Sequence, residues 1–139
     1  MGTTVTFARI ATRSAKRPSA SRPLDRYVEW RDKAYRDVYM KEAVDQGIAW
    51  QIKINRERRG LSQKQLAVAL KTQQSAISRL EDPNYGAHSL DTLKEVARAF
   101  DCALLLKLVP YSALAEDIDH LSPDDQFAAP FTDEVPEAM

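Results

Sequence analysis

Two short segments with helical apolar spacing, joined by a polar turn, lie within residues 63–80 and constrain the fold more than any other feature. Leu66 and Leu70 lie one helical turn apart in the first segment, and Ile77 and Leu80 have similar spacing in the second. Helices this short are marginal in isolation. The pattern therefore predicts two helices that cross steeply and bury their apolar faces in one small core.

Flanking patterns add further helices to this unit. Upstream, apolar residues recur every four positions and predict a helix that ends at Gly60. These residues are Met40, Val44, Ile48 and Ile52. Ser62 and Gln65 have the spacing of a capping box. Ser89 is a predicted N-cap for a helix whose apolar stripe ends at Phe100.

The outward face of the second short helix is polar. Glutamine pairs with adenine in the DNA major groove, arginine with guanine, and serine with several bases. We therefore expect base readout from this face, rather than an ordinary solvated helix surface. The expected base-reading residues are Gln73, Gln74, Ser75, Ser78 and Arg79.

This region resembles the phage repressor and Cro helix-turn-helix proteins, often called the XRE family, from about Ile48 to Phe100. The strongest matches are Leu61-Ser62-Gln63, Leu66-Ala67, Thr72-Gln73-Gln74-Ser75 and Ile77-Ser78-Arg79-Leu80-Glu81. The resemblance implies an all-α, repressor-like bundle of about five helices that binds double-stranded DNA. It also implies that residues 73–80 are the recognition helix.

Further contacts, to DNA phosphates, are expected around this helix. The resemblance implies them for Gln63, Arg56, Thr72, Tyr85 and Ser89. Lys64 and Lys71 add positive charge beside them, and Lys71 stands where relatives usually have glycine. The resemblance also implies an ion pair between Arg56 and Glu81, for which a purely structural role is at least as good an interpretation.

Charge is segregated along the chain although the 20 basic and 20 acidic residues cancel. Residues 51–80 have seven basic residues and one acidic residue, whereas residues 111–139 have eight acidic residues and no basic ones. A basic middle segment suits a polyanionic partner. The predicted divisions are a disordered basic arm (1–23), a helical extension (24–44), a DNA-binding domain (45–101), a short strand (102–110) and an acidic, largely disordered tail (111–139).

The apolar run at residues 103–109, closed by Pro110, suits a β-strand, which needs a partner strand. A second copy is the simplest partner, and it would give a dimer through Leu104, Leu106 and Leu108. Pairing with an N-terminal segment of the same chain, or a further buried helix, are the alternatives.

These features favour a sequence-specific transcriptional regulator, expected to be a dimeric repressor in the cytoplasm and nucleoid. The alternative is an antitoxin that represses its own operon, with residues 116–137 wrapping a basic toxin. A third interpretation keeps the fold as a protein-binding module.

We expect no enzyme activity, cofactor or metal site, because no catalytic arrangement is recognisable and His88 and His120 lie far apart in the sequence. Cys102 is the only cysteine, so it has no intramolecular disulfide partner. No apolar run is long enough to cross a bilayer.

Overall fold

Seven α-helices and one short 3₁₀ helix make up the regular structure of residues 28–135, which a computed structural model describes. The basic arm predicted for residues 1–23 lies outside these residues. The 3₁₀ helix is Val28–Arg31, and the α-helices are α1 (Lys33–Arg58), α2 (Gln63–Ala69), α3 (Gln74–Leu80), α4 (Leu90–Ala99), α5 (Tyr111–Asp119), α6 (Pro123–Gln126) and α7 (Phe131–Glu134). The all-α prediction is confirmed for this part of the chain.

Two compact units divide these residues. Unit 1 comprises residues 28–36 and 108–120, and unit 2 comprises residues 37–107 and 121–135. Unit 2 contains the two short helices and their flanking helices.

Helix α1 is longer than the sequence pattern indicated. Residues 33–44 of the predicted helical extension and the first helix of the DNA-binding domain form one continuous element of 26 residues. Gly47 lies inside it without breaking it, because one glycine costs a helix only about 1 kcal/mol. The helix ends before Gly60, whose φ of 68° is the left-handed conformation expected just beyond a helix C-terminus.

Both predicted N-caps are confirmed. Ser62 accepts a hydrogen bond from the backbone N–H of Gln65, and the Gln65 side chain accepts one from the Ser62 N–H at 2.8 Å. Ser89 accepts a hydrogen bond from the N–H of Thr92 at 3.1 Å. These bonds satisfy helix N–H groups that would otherwise have no partner, and they fix where α2 and α4 begin.

The core of unit 2 forms where α1, α2, α3 and α4 meet. Its buried members are Ile52, Leu66, Ala67, Ile77, Leu80, Val96 and Phe100. Ile48, Leu61, Leu70, Leu93, Ala99 and Cys102 pack against them from partly buried positions. The apolar residues of the two short helices thus share one core with both flanking helices, as the sequence pattern predicted.

Unit 1 has an aromatic centre. The Trp30 side chain is buried, and its ring meets Tyr35 edge-on with 5.3 Å between centroids. Tyr111, at the start of α5, lies 6.0 Å from the same ring. The guanidinium of Arg36 donates to the Trp30 carbonyl and lies over the Tyr111 ring, so the N-terminal end of α1 and α5 both contact this tryptophan.

Residues 103–109 form neither a helix nor a strand within this single chain. The interpretation as a further buried helix is wrong, because Leu104, Leu106 and Leu108 are 43%, 74% and 100% exposed. The expected strand lacks a ladder among the described residues, since no other segment of residues 28–135 pairs with it.

Within the tail predicted to be acidic and largely disordered, α5, α6 and α7 lie in residues 111–134. Residues 121–135 are held against α1 by hydrogen bonds. The acidic composition of this segment does not indicate such bonds. Asn55 of α1 bonds the backbone at Gln126 and Ala128.

Candidate nucleic-acid interface

Helices α2 and α3 pack tightly through their apolar residues. Leu66 and Ile77 are fully buried, and Ala67 is only 2% exposed. Ala67 also accepts a backbone hydrogen bond from Thr72 at 2.9 Å, which closes the turn between the helices. A larger side chain at this buried position would overpack the core.

The turn itself has a left-handed residue. Lys71 has a φ of 55°, a region that costs residues other than glycine roughly 1–2 kcal/mol. The turn therefore keeps the backbone conformation that a glycine would favour, although a lysine occupies it. The side chains of Lys71 and Thr72 are exposed on this turn.

The outward face of α3 is open. All five residues expected to read bases are exposed, whereas Ile77 and Leu80 point into the core. These exposed residues are Gln73, Gln74, Ser75, Ser78 and Arg79. Gln73 is the N-cap residue of α3, and its side chain makes no capping hydrogen bond. The structure thus brings the expected base-reading side chains together on one short, rigidly packed helix.

A buried network fixes this helix to α1 and α2. Arg56 donates from Nε and NH2 to the two carboxylate oxygens of Glu81, at 2.6 and 2.9 Å. Its NH1 donates to the Leu61 carbonyl, and Gln63 donates to Glu81 at 3.2 Å. The hydrogen bond with Glu81 raises the pKa of Arg56. Because Arg56 is 9% exposed, its guanidinium faces Glu81 and Leu61 and serves as a support for the interface.

The loop after α3 carries two more of the residues expected near phosphates. Tyr85 is 38% exposed, and its ring meets His88 edge-on at 5.4 Å between centroids. His88 Nε2 lies 2.8 Å from the Leu80 carbonyl, in the last turn of α3, so this nitrogen carries the proton and donates. Ser89 is exposed, but its hydroxyl is engaged with Thr92 in capping α4.

The same loop lies against α1 at Gly86. A Cβ atom there would come within 2.9 Å of the Asp45 carboxylate and 3.3 Å of Lys41 Nζ. Asp45 and Lys41 are themselves paired at 2.7 Å. Gly86 also has a φ of 63°. The left-handed backbone disfavours a side chain at this position, and a Cβ atom there would also require the ends of the Asp45 and Lys41 side chains to shift.

The residues expected at phosphates therefore fall into three groups. Lys64, Lys71, Thr72 and Tyr85 are exposed around the two short helices. Gln63 and Ser89 are engaged in hydrogen bonds with Glu81 and Thr92, and Arg56 is buried. Sequence reasoning missed His88, Asp45 and Lys41 as supports of the loop, because each depends on a contact far away in the sequence.

Within residues 28–135, no group of three or more histidine, cysteine, aspartate or glutamate side chains is arranged to hold a metal ion. No helix in the same range has the length and apolarity that crossing a membrane requires.

Comparison with known families agrees with this geometry. Residues 52–106 match the family described as Helix-turn-helix, a span of 55 of the 139 residues that includes α2, α3 and α4. Neither the curated proteins nor the solved structures gave a significant match to the chain. From the family match and from the exposed face of α3, we conclude that residues 52–106 are a helix-turn-helix DNA-binding domain of the XRE family, the type found in transcription regulators.

Proposed function

We propose that the protein is a sequence-specific repressor that binds double-stranded DNA as a dimer, with α3 as the recognition helix in the major groove. The observation that carries this proposal is the face of α3, where the side chains suited to base edges are all exposed while Ile77 and Leu80 hold the helix in the core. Repression would follow when the bound protein blocks access to a promoter.

Rigidity supports base readout by this face. The Arg56–Glu81 pair and Gln63 fix the end of α3 to α1 and α2. Prior fixing of the helix lowers the conformational entropy lost on binding. Lys64, Lys71 and Arg79 are exposed on and around the two short helices, and their positive charge adds attraction to phosphates.

The dimer is supported by the exposed apolar run that follows α4. Leu104, Leu106 and Leu108 alternate along residues that lack a ladder in the single chain. The same run in a second copy would supply the missing backbone partners. Two recognition helices in such a dimer would reach half-sites about 34 Å apart on DNA.

The structure of the acidic tail favours this proposal over an antitoxin. A toxin-wrapping segment needs a free chain, whereas residues between Asp124 and Phe131 hydrogen-bond to α1 and to Asp101 within the same unit. These contacts support a role for residues 121–135 within the DNA-binding unit rather than on a toxin.

The experiment is fluorescence anisotropy of the full chain on labelled DNA from upstream of its own gene and on a shuffled duplex of equal composition, across a salt series. We expect tighter binding to the upstream DNA, with affinity falling steeply as salt rises, because counterions are released from the phosphates. A Gln74→Ala/Arg79→Ala variant should bind the two duplexes alike.

Equal binding of the wild-type protein to both duplexes would contradict autoregulation and call for selection of an operator from random sequences. The proposal of sequence-specific binding would fail if that selection returned no preferred sequence.

A further inference from the structure

The strongest feature that the DNA-binding function leaves unused is the Asn55 side chain near the end of α1, which is 5% exposed. Its amide nitrogen donates to the Gln51 carbonyl at 2.8 Å and to the Gln126 carbonyl at 2.7 Å. Its oxygen accepts from Arg59 at 3.0 Å and from the Ala128 N–H at 2.8 Å. All four hydrogen-bonding positions of the amide are therefore used.

Two of these four hydrogen bonds join the Asn55 side chain to the peptide backbone of a distant segment. The carbonyl of residue 126 and the N–H of residue 128 flank Phe127, and a side-chain amide that bonds both of them imitates the pairing of a neighbouring strand. The backbone at Phe127 is extended, with a φ of −79° and a ψ of 132°. Asn55 thus binds the backbone of an extended peptide, whatever side chains that peptide carries.

Arg59 extends the same recognition by one more group. Its NH2 donates to the Ala128 carbonyl at 2.6 Å and to the Phe100 carbonyl at 2.7 Å. The guanidinium carbon lies 4.8 Å from the Phe100 ring centroid and 5.4 Å from that of Phe127. A cation beside a ring of the bound segment gives a preference for an aromatic side chain in that segment.

Charge adds a third preference. Arg58 pairs with Asp124 at 2.7 Å, and its guanidinium carbon lies 5.6 Å from the Phe127 ring centroid. Residues 121–135 contain four acidic side chains and no basic ones. The pair is exposed and contributes little stability by itself. The pair instead contributes specificity, because two arginines beside the peptide favour acidic segments over basic ones.

We propose that Asn55, Arg58, Arg59 and Phe100 form a peptide-binding site for an extended, acidic segment with an aromatic residue, and that the chain's own residues 124–131 occupy it as an internal ligand. The contacts are those of a recognition site: backbone bonds for affinity, one aromatic position and one acidic position for specificity.

The segment that occupies this site also contacts Asp101, which lies just before the apolar run at residues 103–109. Phe131 donates its backbone N–H to the Asp101 carbonyl at 2.8 Å, just after α4 and just before residues 103–109. Asp101 has a φ of 54°, so its left-handed backbone is held between α4 and the bound segment. A peptide that displaced residues 124–131 would remove this bond.

The test uses the full chain with its internal ligand weakened by Phe127→Ala/Ala128→Pro. Proline has no N–H to donate to Asn55, and it suits the extended residue before it. The probe is a fluorescent synthetic peptide with the sequence of residues 121–135, titrated by anisotropy up to about the millimolar effective concentration that a tethered segment provides.

We expect saturable binding to this variant, at least about tenfold tighter than to the wild-type protein, whose site is already filled by a tethered segment. A peptide of the same composition in scrambled order should bind at least tenfold more weakly, because composition and charge alone do not place the aromatic ring and backbone groups. Adding Asn55→Asp should also abolish tight binding, since it replaces the donor to Gln126 with an acceptor.

The scrambled peptide keeps the test valid even if Asn55→Asp unfolds the protein. Equal binding of the native and scrambled peptides would overturn the proposal. Equal binding of the native peptide to wild type and variant would overturn it too, as would absence of saturation over the whole titration.

Discussion

Arg56 and Glu81 form a two-pronged ion pair that joins the end of α1 to the end of the recognition helix, with side chains that are 11% and 4% exposed. The two parallel bonds fix the orientation of both planes, which a single lysine bond would not do. The position of α3 is therefore set by a directional contact as well as by the apolar core.

Replacing Glu81 with glutamine is expected to destabilise the protein by about 3–5 kcal/mol, because the Arg56 charge would remain buried without a counter-charge. Urea denaturation followed by circular dichroism measures the change. The exposed pair of Arg98 and Glu95 in α4 is the control, and Glu95→Gln should change stability by about 0.5 kcal/mol or less. A similar small loss for both variants would contradict a buried role for Glu81.

Lys71→Gly is expected to stabilise the protein by about 1 kcal/mol, because glycine adopts the φ of 55° without the clash of a Cβ atom. Lys71→Ala removes the same charge but keeps the Cβ atom, so it should not stabilise. Thermal unfolding compares the two variants. Both should weaken DNA binding and reduce its salt dependence to the same extent, since only the charge acts on phosphates. Equal stability of the two variants would show that the turn is not strained.

Arg79→Ala is expected to cost about 1–3 kcal/mol of binding to the preferred DNA sequence and little on random DNA, if the guanidinium reads a guanine. Lys64→Ala is the contrasting variant, because an exposed phosphate contact should lose affinity on both duplexes alike. Anisotropy at one fixed salt concentration gives both ratios. An equal loss on both duplexes for Arg79→Ala would reassign this side chain to the DNA backbone.

Leu106→Lys is expected to separate the proposed dimer, because a charge would enter the apolar face formed by alternate residues of the run. Leu105→Lys places the same charge on the opposite side of an extended segment and should weaken the dimer less. Sedimentation velocity over a concentration series measures both. A monomeric wild-type protein throughout that series would contradict the dimer itself.

Alkylation of Cys102 should be slow in the folded protein. Burial raises the pKa of its thiol, an effect that nearby Arg59 opposes. The folded protein thus holds this proton to a higher pH than the unfolded chain does, and folding becomes less favourable as the pH rises above the ordinary thiol pKa of about 8.5. Iodoacetamide labelling from pH 7 to 10, with and without urea, tests this. Labelling of the native protein at the rate seen in urea would contradict burial.

The helix-turn-helix could be predicted because its determinants are local and periodic. Ser62 with Gln65, and Ser89 with its following turn, mark helix starts within a few residues of sequence. Leu66 and Ile77 follow the helical period, so their burial could be read directly from the chain. The exposed face of α3 then follows from the buried one.

The acidic segment could not be predicted in this way. Asn55 lies 71 and 73 residues from its backbone partners at Gln126 and Ala128, and a side chain that bonds to peptide groups leaves no pattern in the partner's sequence. In the sequence, Arg59 is only one of several basic residues before Gly60. Its contacts with both Phe100 and Phe127 depend on three segments folding together.

Gly86 lies close to Asp45 of α1, so the spacing of residues along this helix determines which neighbouring segment each of them contacts. Asp45 and Ile52 of α1 lie seven residues, or two helical turns, apart, and Arg59 continues this spacing one residue beyond the helix end, so all three lie near one side of it. That side meets in succession the loop after the recognition helix, the core, and the acidic segment. A one-residue insertion between Asp45 and Ile52 would turn one part by about 100° relative to the other. The number of residues in α1 therefore matters as much as their identity.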